Sequence, residues 1–454
     1  MTEKKLQRMA GFLSALTLGL ALWMLLWSWL AHATPDPALG TMEAGVMLAD
    51  EMDASAVSYE SSLPPDPRIG AMMAQITTGT VTAYERSLTG EEGIIVGGQL
   101  YTLTTRNSYS GEPISQATRY VYEHFQDLGL DVSFHEYTWS GHHWRNVVAE
   151  QQGLGRADEI YLITAHLDDM PPGPVAPGAD DNASGATAVL VAADVLSQLD
   201  FDCTLRFVLF TGEEQGLRGS AAYAAAIAAA GDDVRGVLNL DMIGYNSDAV
   251  PIIDLHARSA ITGSVSIAQT FSQVVSLYDL DLAPEILIDH WLGNYSDNKS
   301  FWNQRYPAIL AIEDYDDFTP YYHTVSDTLD TLDLDYFTEF VRAGVGTFAH
   351  LGCLSTGLLT GTVTDLETGW PLPSTLSAVA TNYAYTTTTR ADGLYSLTLP
   401  AFTFTLHAQA NRPGYQPGSI TNVIIRGNAT TVQDFTLEPW PHRFLIPVLI
   451  KQSQ

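Results

Sequence analysis

Three almost wholly apolar runs end in residues able to hold a cation. Ile160–Ala165 gives way to His166 and Asp168, Leu205–Gly212 to Glu213 and Glu214, and Gly236–Leu240 to Asp241. The first run opens "TAHLDDMPPGPVAPGADDNASG" (Thr164–Gly185), which holds four aspartates: Asp168, Asp169, Asp180 and Asp181. One acid after a strand is ordinary loop chemistry. Strand ends that bring a histidine, a Glu-Glu pair and an aspartate together are different, because adjacent carboxylates repel and need a cation to hold them. Imidazole plus carboxylate without thiolate suits Zn²⁺, with Mn²⁺ or Co²⁺ as substitutes, whereas Ca²⁺ or Mg²⁺ would not ask for histidine. The donors exceed the three protein ligands of one catalytic zinc, and a pair of zincs about 3.5–4 Å apart accommodates them. A second histidine is then required, and "EDYDDFTPYYHTVSDTLD" supplies His323. His142 and His143 in "SGHHW", and His135 and His290, read as surface or core residues.

Positioning these ends is the work of the sheet. Runs apolar at nearly every position indicate strands covered on both faces, and the carboxyl ends of parallel strands line one edge where ligands sit. Candidate strands are "VSFHEYT", "RNVVAEQ", "EIYLITAH", "LRFVLFTG", "GVLNLDM" and "PAILAIE"; helical periodicity marks Ile114–Leu130 and Ser184–Leu199. The fold class that follows is α/β, a mainly parallel mixed sheet flanked by helices, over residues 70–357. Residues 358–439 are rich in Thr, Tyr and Val with frequent turn signals and no helix-length periodicity, which predicts a small C-terminal β-sandwich.

The chain has 454 residues, 46% of them apolar, and a formal net charge of -31. That content excludes global disorder, and the charge disfavours nucleic acid and anionic membranes as partners. At the N-terminus, Lys4, Lys5 and Arg8 precede an apolar stretch from Gly11 to about Leu30 and an Ala31-His32-Ala33 site. Residues 1–33 read as an export signal, with an uncleaved membrane anchor through residues 11–30 as the alternative; both put the remainder outside the cytoplasm, secreted or held at the outer face of the membrane. Residues 34–69 read as a linker or pro-region, and 440–454 as a tail without an assigned role. The two cysteines, Cys203 and Cys353, each in an apolar context, are expected to be two buried thiols. Motifs of other catalytic classes are absent: the sequence has no HExxH, Walker A loop, GxGxxG after a strand, or GxSxG.

The segments "AHLDD", "PGADDNASG", "GEEQGLRGS", "LNLDMIGYN", "YSDNKSFWNQRYPAILAIE" and "YYHTVSDTLD" resemble, in order and approximate spacing, those of the di-zinc aminopeptidases of metallopeptidase family 28. The resemblance covers about Ile94–Gly357. The segment from about Leu359 to Pro439 is similar to carboxypeptidase-regulatory-like domains, through "GTVTD" and "ADGLYSL". The first resemblance implies the zinc exopeptidase fold, two Zn²⁺ per chain, and an exopeptidase that releases N-terminal residues from peptides or proteins. It implies that His166, Asp181 and Asp241 hold one zinc and Asp181, Glu214 and His323 the other. It further implies that Glu213 is the general base and that the Asp168 carboxylate fixes the tautomer of His166. Asp169 and Asp180 remain as loop acids that add negative field.

The sequence departs from the family pattern at Asn298, where a histidine is common. Trp291, Leu292, Tyr295 and Phe301 nearby are candidates for an apolar side-chain pocket or for ordinary core. Rival readings are a glutaminyl cyclase-like acyltransferase with one zinc, a carboxypeptidase or dipeptidase on the same fold, and an inactive scaffold whose sandwich binds glycans. The sequons at Asn182, Asn294, Asn298 and Asn428 carry little weight, Asn182 lying within the metal-site loop.

Overall fold

The computed structural model describes residues 63–380 and 383–441. The expected signal or anchor, most of the linker and nearly all of the tail fall outside them. Among the described residues no helix is long and apolar enough to cross a membrane.

In chain order the first part consists of α1 (Pro67–Met73), α2 (Thr78–Thr89), a hairpin of β1 (Ile94–Val96) and β2 (Gln99–Tyr101), α3 (Glu112–Asp127), β3 (Asp131–Trp139), β4 (His142–Gln151) and β5 (Arg156–His166). Then come α4 (Gly185–Leu196), β6 (Cys203–Phe210), α5 (Arg218–Ala230), β7 (Asp233–Leu240), β8 (Ile252–Ala257), α6 (Ser264–Leu277), β9 (Ala283–Ile288), α7 (Asn298–Asn303), β10 (Ala308–Glu313) and α8 (Leu334–Leu351). Helix α1 begins inside the stretch read as linker, with Arg68 and Ile69 buried.

Eight strands form one sheet in the order β3-β4-β6-β5-β7-β10-β8-β9. The central four, β6, β5, β7 and β10, are mutually parallel, while β3, β4 and β8 pair antiparallel with a neighbour. The continuous apolar character of the central strands follows from burial on both faces. Phe207 and Leu209 of β6 face one core with Ile163 and Leu238, and Val208 and Phe210 face another with Leu162 and Val237. The first core is closed by α4 and α8, the second by residues of α5 and α7. Helix α3 buries Ile114, Ala117, Val121 and Phe125, one stripe at helical spacing. Helix α8 starts at Asp333, whose carboxylate accepts from the amides of Asp335 and Tyr336.

The later part comprises β11 (Thr356–Asp365), β12 (Ser374–Ala380), β13 (Tyr383–Thr388), β14 (Leu394–Pro400), β15 (Thr403–Ala410), β16 (Gly418–Ile424), β17 (Thr430–Val432) and β18 (Phe435–Leu437). One sheet runs β14-β11-β17 with β18 also on β11, the other β13-β12-β15-β16. Alternating residues such as Leu359, Val363, Leu376, Ala378, Phe404 and Leu406 form a single core between them, the packing of a β-sandwich.

The cysteine expectation is overturned: Cys203 and Cys353 form a disulfide, with Cα atoms 5.5 Å apart across 150 residues of sequence. Helix α8 returns its C-terminus to the start of β6, where Phe201 and Leu354 form a β-bridge and the Asp202 amide donates to the Cys353 carbonyl. The apolar context that suggested two isolated thiols is the packing that brings them together.

Candidate metal centre

Register brings the donors level. In the β5–β7 pair Thr164 lies beside Asn239, so Asp241, two residues further on, stands level with His166. In the β5–β6 pair His166 lies beside Phe210, which puts Glu213 and Glu214 in the turn just beyond the same edge. The chain leaves β5 for β6 on one side and then reaches β7 on the other, so His166 sits at the switch point, where crevices form in open α/β sheets. Asp181 arrives on the π-type turn Ala179–Ser184 leading into α4. The start of α4 is pressed onto the sheet: a Cβ on Gly185 would lie 2.5 Å from the Leu240 carbonyl. His323 comes from the loop after β10, with φ +57°, in the left-handed region that a non-glycine residue adopts at some cost.

Two groups of donors result, His166 with Asp181 and Asp241, and Asp181 with Glu214 and His323, the ligand atoms of each lying within 4.8 Å of one another. Asp181 is shared: its Oδ1 lies 3.2 Å from His166 Nε2 and its Oδ2 3.3 Å from His323 Nε2. Asp241 Oδ1 is 3.2 Å from His166 Nε2, and Glu214 Oε2 is 2.8 Å from His323 Nε2. All five side chains named as metal ligands from the sequence therefore converge, and between Asp180 and Asp181 it is Asp181 that faces both histidines.

The electrostatics ask for positive charge. Burial disfavours a protonated His323, yet hydrogen bonds and charges from Asp181 and Glu214 outweigh it and push the imidazole up to about 10. Burial likewise works against charge on His166, and Asp241, Glu213 and Asp181 reverse it. Burial raises Asp181, but the two histidines more than compensate and hold it below the usual carboxylate range. Burial pushes Glu214 up to about 8, and repulsion by Asp181 adds to the effect. An oxygen and nitrogen donor set arranged as two trios around one shared carboxylate fits two divalent cations with a preference for zinc over calcium or magnesium.

The neighbouring groups orient these donors. His166 Nδ1 lies 3.0 Å from the backbone carbonyl of Asp168, an acceptor only, so Nδ1 carries a proton and Nε2, on the side of Asp181 and Asp241, is the nitrogen left to take a metal. The Asp168 carboxylate, expected to perform this function, is 3.8 Å away and accepts instead from Ser108 Oγ at 3.0 Å and the Glu213 amide at 3.2 Å. Residue 168 does fix the tautomer, through its carbonyl, and its carboxylate ties the Glu213 turn to the Ser108 loop. Glu213 lies beside the cluster without ion-pairing to either histidine. Burial drives its carboxyl well above the ordinary range; His166 pulls it back in part and Glu214 repels it further.

The two remaining aspartates hold their loops in place. Asp169 accepts from the Arg106 amide at 2.6 Å, and the fully buried Arg106 guanidinium binds the carbonyls of Leu167, Pro177 and Gly178 while standing 3.7 Å from Asp169. Asp180 accepts from the Gly244 amide at 2.9 Å, and burial and the nearby Asp327 raise its carboxyl to about 8. Four residues were not singled out from the sequence. Asp327 accepts from the amides of Asp180 and Asp181 with its two oxygens, Ser296 Oγ donates to Asp241, the Tyr322 ring stacks on His323 at 3.7 Å, and Arg106 has just been described. Asp327, Ser296 and Tyr322 lie inside the quoted motifs, and that adjacency was their only signal.

The candidate pocket residues divide. Phe301 is fully buried against Phe210, whereas Trp291 and Tyr295 are 44% and 64% exposed and meet edge to face. Asn298 is buried and its Nδ2 donates to the Gly293 carbonyl at 2.9 Å, a local structural use of the departure from the family pattern. Of the sequons, Asn182 and Asn298 are fully buried.

Residues 146–345 match the model of peptidase family M28, and residues 359–438 that of the carboxypeptidase regulatory-like domain. The chain is 32% identical over 237 residues to a probable leucine aminopeptidase 1 of Trichophyton verrucosum, covering 49% of this chain and 61% of that protein. It is 33% identical over 211 residues to leucine aminopeptidase 1 of Trichophyton equinum, covering 43% and 56%. The chain thus spans about three fifths of the length of the curated relatives it matches. Among solved structures, LapB of Legionella pneumophila superposes with a TM-score of 0.54 at 22% identity, covering 64% of this chain and 77% of that one. The LapA aminopeptidase of the same organism superposes with 0.52 at 20%, covering 63% and 74%. At these identities the structural likeness is one of fold.

Proposed function

We propose, from the premise that residues 146–345 belong to peptidase family M28, that the protein is an exported zinc-dependent aminopeptidase releasing N-terminal residues from peptides. The observation that carries the reading is the shared position of Asp181, one oxygen toward each histidine, within a donor set suited to two zinc ions. The leucine aminopeptidases among the relatives support the choice of peptide end. The disulfide supports an oxidising, extracytoplasmic location, in keeping with the basic and apolar N-terminal segment.

His166, Asp181 and Asp241 would hold one zinc, and Asp181, Glu214 and His323 the other. When bound, zinc would lower the pKa of an attacking water and polarise the scissile carbonyl. Glu213, held beside the donors by the hydrogen bond of its amide to Asp168, takes the water's proton and passes it to the leaving amine. The raised affinity of this carboxyl for a proton suits it to carry one between the two steps. The carboxylates of the cluster attract the protonated N-terminus of a peptide, and this attraction selects exopeptidase over endopeptidase action.

The test is hydrolysis of aminoacyl-amides with varied side chains, with and without chelator and added Zn²⁺, alongside N-blocked and C-blocked peptides. We expect chelator to abolish turnover, Zn²⁺ to restore it, N-blocking to prevent it, and two zinc ions per chain by elemental analysis. Glu213→Gln should keep both metals and lose about 100- to 10,000-fold in kcat. One zinc per chain would favour the cyclase-like alternative, and undiminished turnover by Glu213→Gln would remove the proposed base.

A further inference from the structure

Past the end of β6, on the edge of the sheet that carries the metal donors, stands the β3–β4 hairpin. Because β4 runs antiparallel to β6, its first residues lie beside Thr211: the Thr211 hydroxyl donates to the Arg145 carbonyl at 3.1 Å, and the Tyr137 hydroxyl to the Thr211 carbonyl at 2.6 Å. Between this hairpin, the Ser108–Tyr109 loop and the first turns of α3 lies a groove of about 610 Å³. Its wall is linked to the turn that carries Glu213. Ser108, on its wall, donates to Asp168 and accepts at 2.8 Å from the amide of Gly212, the residue before Glu213.

The groove has an aromatic wall and a polar end. Tyr109 meets both Trp144 and His142 edge-on, with ring centroids 5.0 Å apart in each pair, and Tyr109 is 49% exposed where Trp144 is 7%. At the polar end Arg145 is fixed by Thr118 Oγ1 and the Ser115 carbonyl, each at 2.9 Å. A rigid aromatic face beside a fixed guanidinium suits a peptide segment carrying a large apolar side chain.

We propose that this groove receives the residues that follow the scissile bond, with an aromatic or large apolar side chain packed against Tyr109 and Trp144. The direction comes from the chemistry. Glu213 delivers its proton to the leaving nitrogen, so the departing half of the peptide lies on the Glu213 side, and the end of β6 opens onto this groove. The exposed Trp291 and Tyr295 lie on the opposite flank, toward β8, and so fall on the side of the released residue. The inference rests on the aminopeptidase reading.

The test compares the full zinc-loaded chain with its Tyr109→Ala variant on leucyl-phenylalaninamide and leucyl-glycinamide. The Tyr109 ring is half exposed and its amide alone hydrogen-bonds Asn107, so the fold should tolerate the change, as thermal unfolding would verify. The unsubstituted protein should prefer the phenylalanyl substrate in kcat/KM, and the preference should fall about 3- to 10-fold in the variant. No preference, or an equal preference in both proteins, overturns the proposal. Calorimetric titration with N-acetylphenylalaninamide, on chelator-treated protein, reads the groove separately because it contains none of the metal donors. Saturable binding weakened by Tyr109→Ala supports the groove even where turnover fails and the hydrolase reading falls; absence of binding overturns the groove alone.

Discussion

Replacing Asp327 by asparagine should loosen the centre without removing any donor to metal. The Asp327 side chain is 1% exposed and spends both oxygens on backbone amides, Oδ1 at 2.9 Å from the Asp180 nitrogen and Oδ2 at 3.0 Å from the Asp181 nitrogen. Its own carbonyl accepts from the Ala179 amide, and it lies in the loop that carries His323. One residue thus ties the turn bearing the shared carboxylate to the loop bearing the second histidine. Asparagine can accept from one amide but must turn an NH₂ toward the other, leaving a buried donor unsatisfied beside a repelling one. Each such group costs about 1–3 kcal/mol, so a loss of about 3 kcal/mol is expected. Displacing the groups that hold a ligand commonly lowers metal affinity by about 10- to 100-fold. Urea unfolding of the metal-free protein and chelator competition for Zn²⁺, both at pH 7.5, measure the two effects. That pH lies above the value of about 6 to which burial raises Asp327. Unchanged stability would refute the hydrogen-bond argument. A stability loss with unchanged zinc affinity would refute the coupling to the metal centre.

Two further outcomes follow from groups away from the centre. Removing the bridge with Cys203→Ala and Cys353→Ala should lower the stability to urea by about 2–5 kcal/mol, and an unchanged midpoint would mean that the pairing contributes nothing. His256 is 1% exposed with no hydrogen-bond partner for either ring nitrogen, and burial, assisted by His290, lowers its pKa to about 4. The unfolded chain binds this proton more tightly, so the contribution is complete above pH 6.5 and is lost as pH falls toward 4. At pH 5 the loss amounts to about 2 kcal/mol. His256→Leu should flatten the acid limb of the stability profile by that amount, and an unaltered limb between pH 7.5 and 5 would contradict the assignment.

The part of the molecule that the sequence made legible is the part where one residue's type decides its environment. Strands β5, β6, β7 and β10 announced themselves because burial on both faces leaves almost no polar position. Strands β8 and β9 did not, because Asp254, His256 and Glu285 interrupt their apolar runs. His166, the Glu213-Glu214 pair and Asp241 were legible for the same reason as the central strands, since a histidine or carboxylate at a buried strand end has few structural uses, whereas Asp181 was singled out through the family resemblance. Relations between residues were not legible. That Asp168 orients His166 through its carbonyl depends on a distance of 3.0 Å against 3.8 Å, which spacing along the chain cannot distinguish. The paired aspartates make the point most sharply: of the four carboxylates in Asp168-Asp169 and Asp180-Asp181, that of Asp181 faces the two histidines and the other three are spent on the scaffold. Asp169 goes to Arg106, more than sixty residues earlier in the chain, and Asp180 to the amide of Gly244, a similar distance later. A di-carboxylate motif at such a site is therefore better read as acids that fix their loop, with a metal donor among them only where the fold turns one toward the histidines.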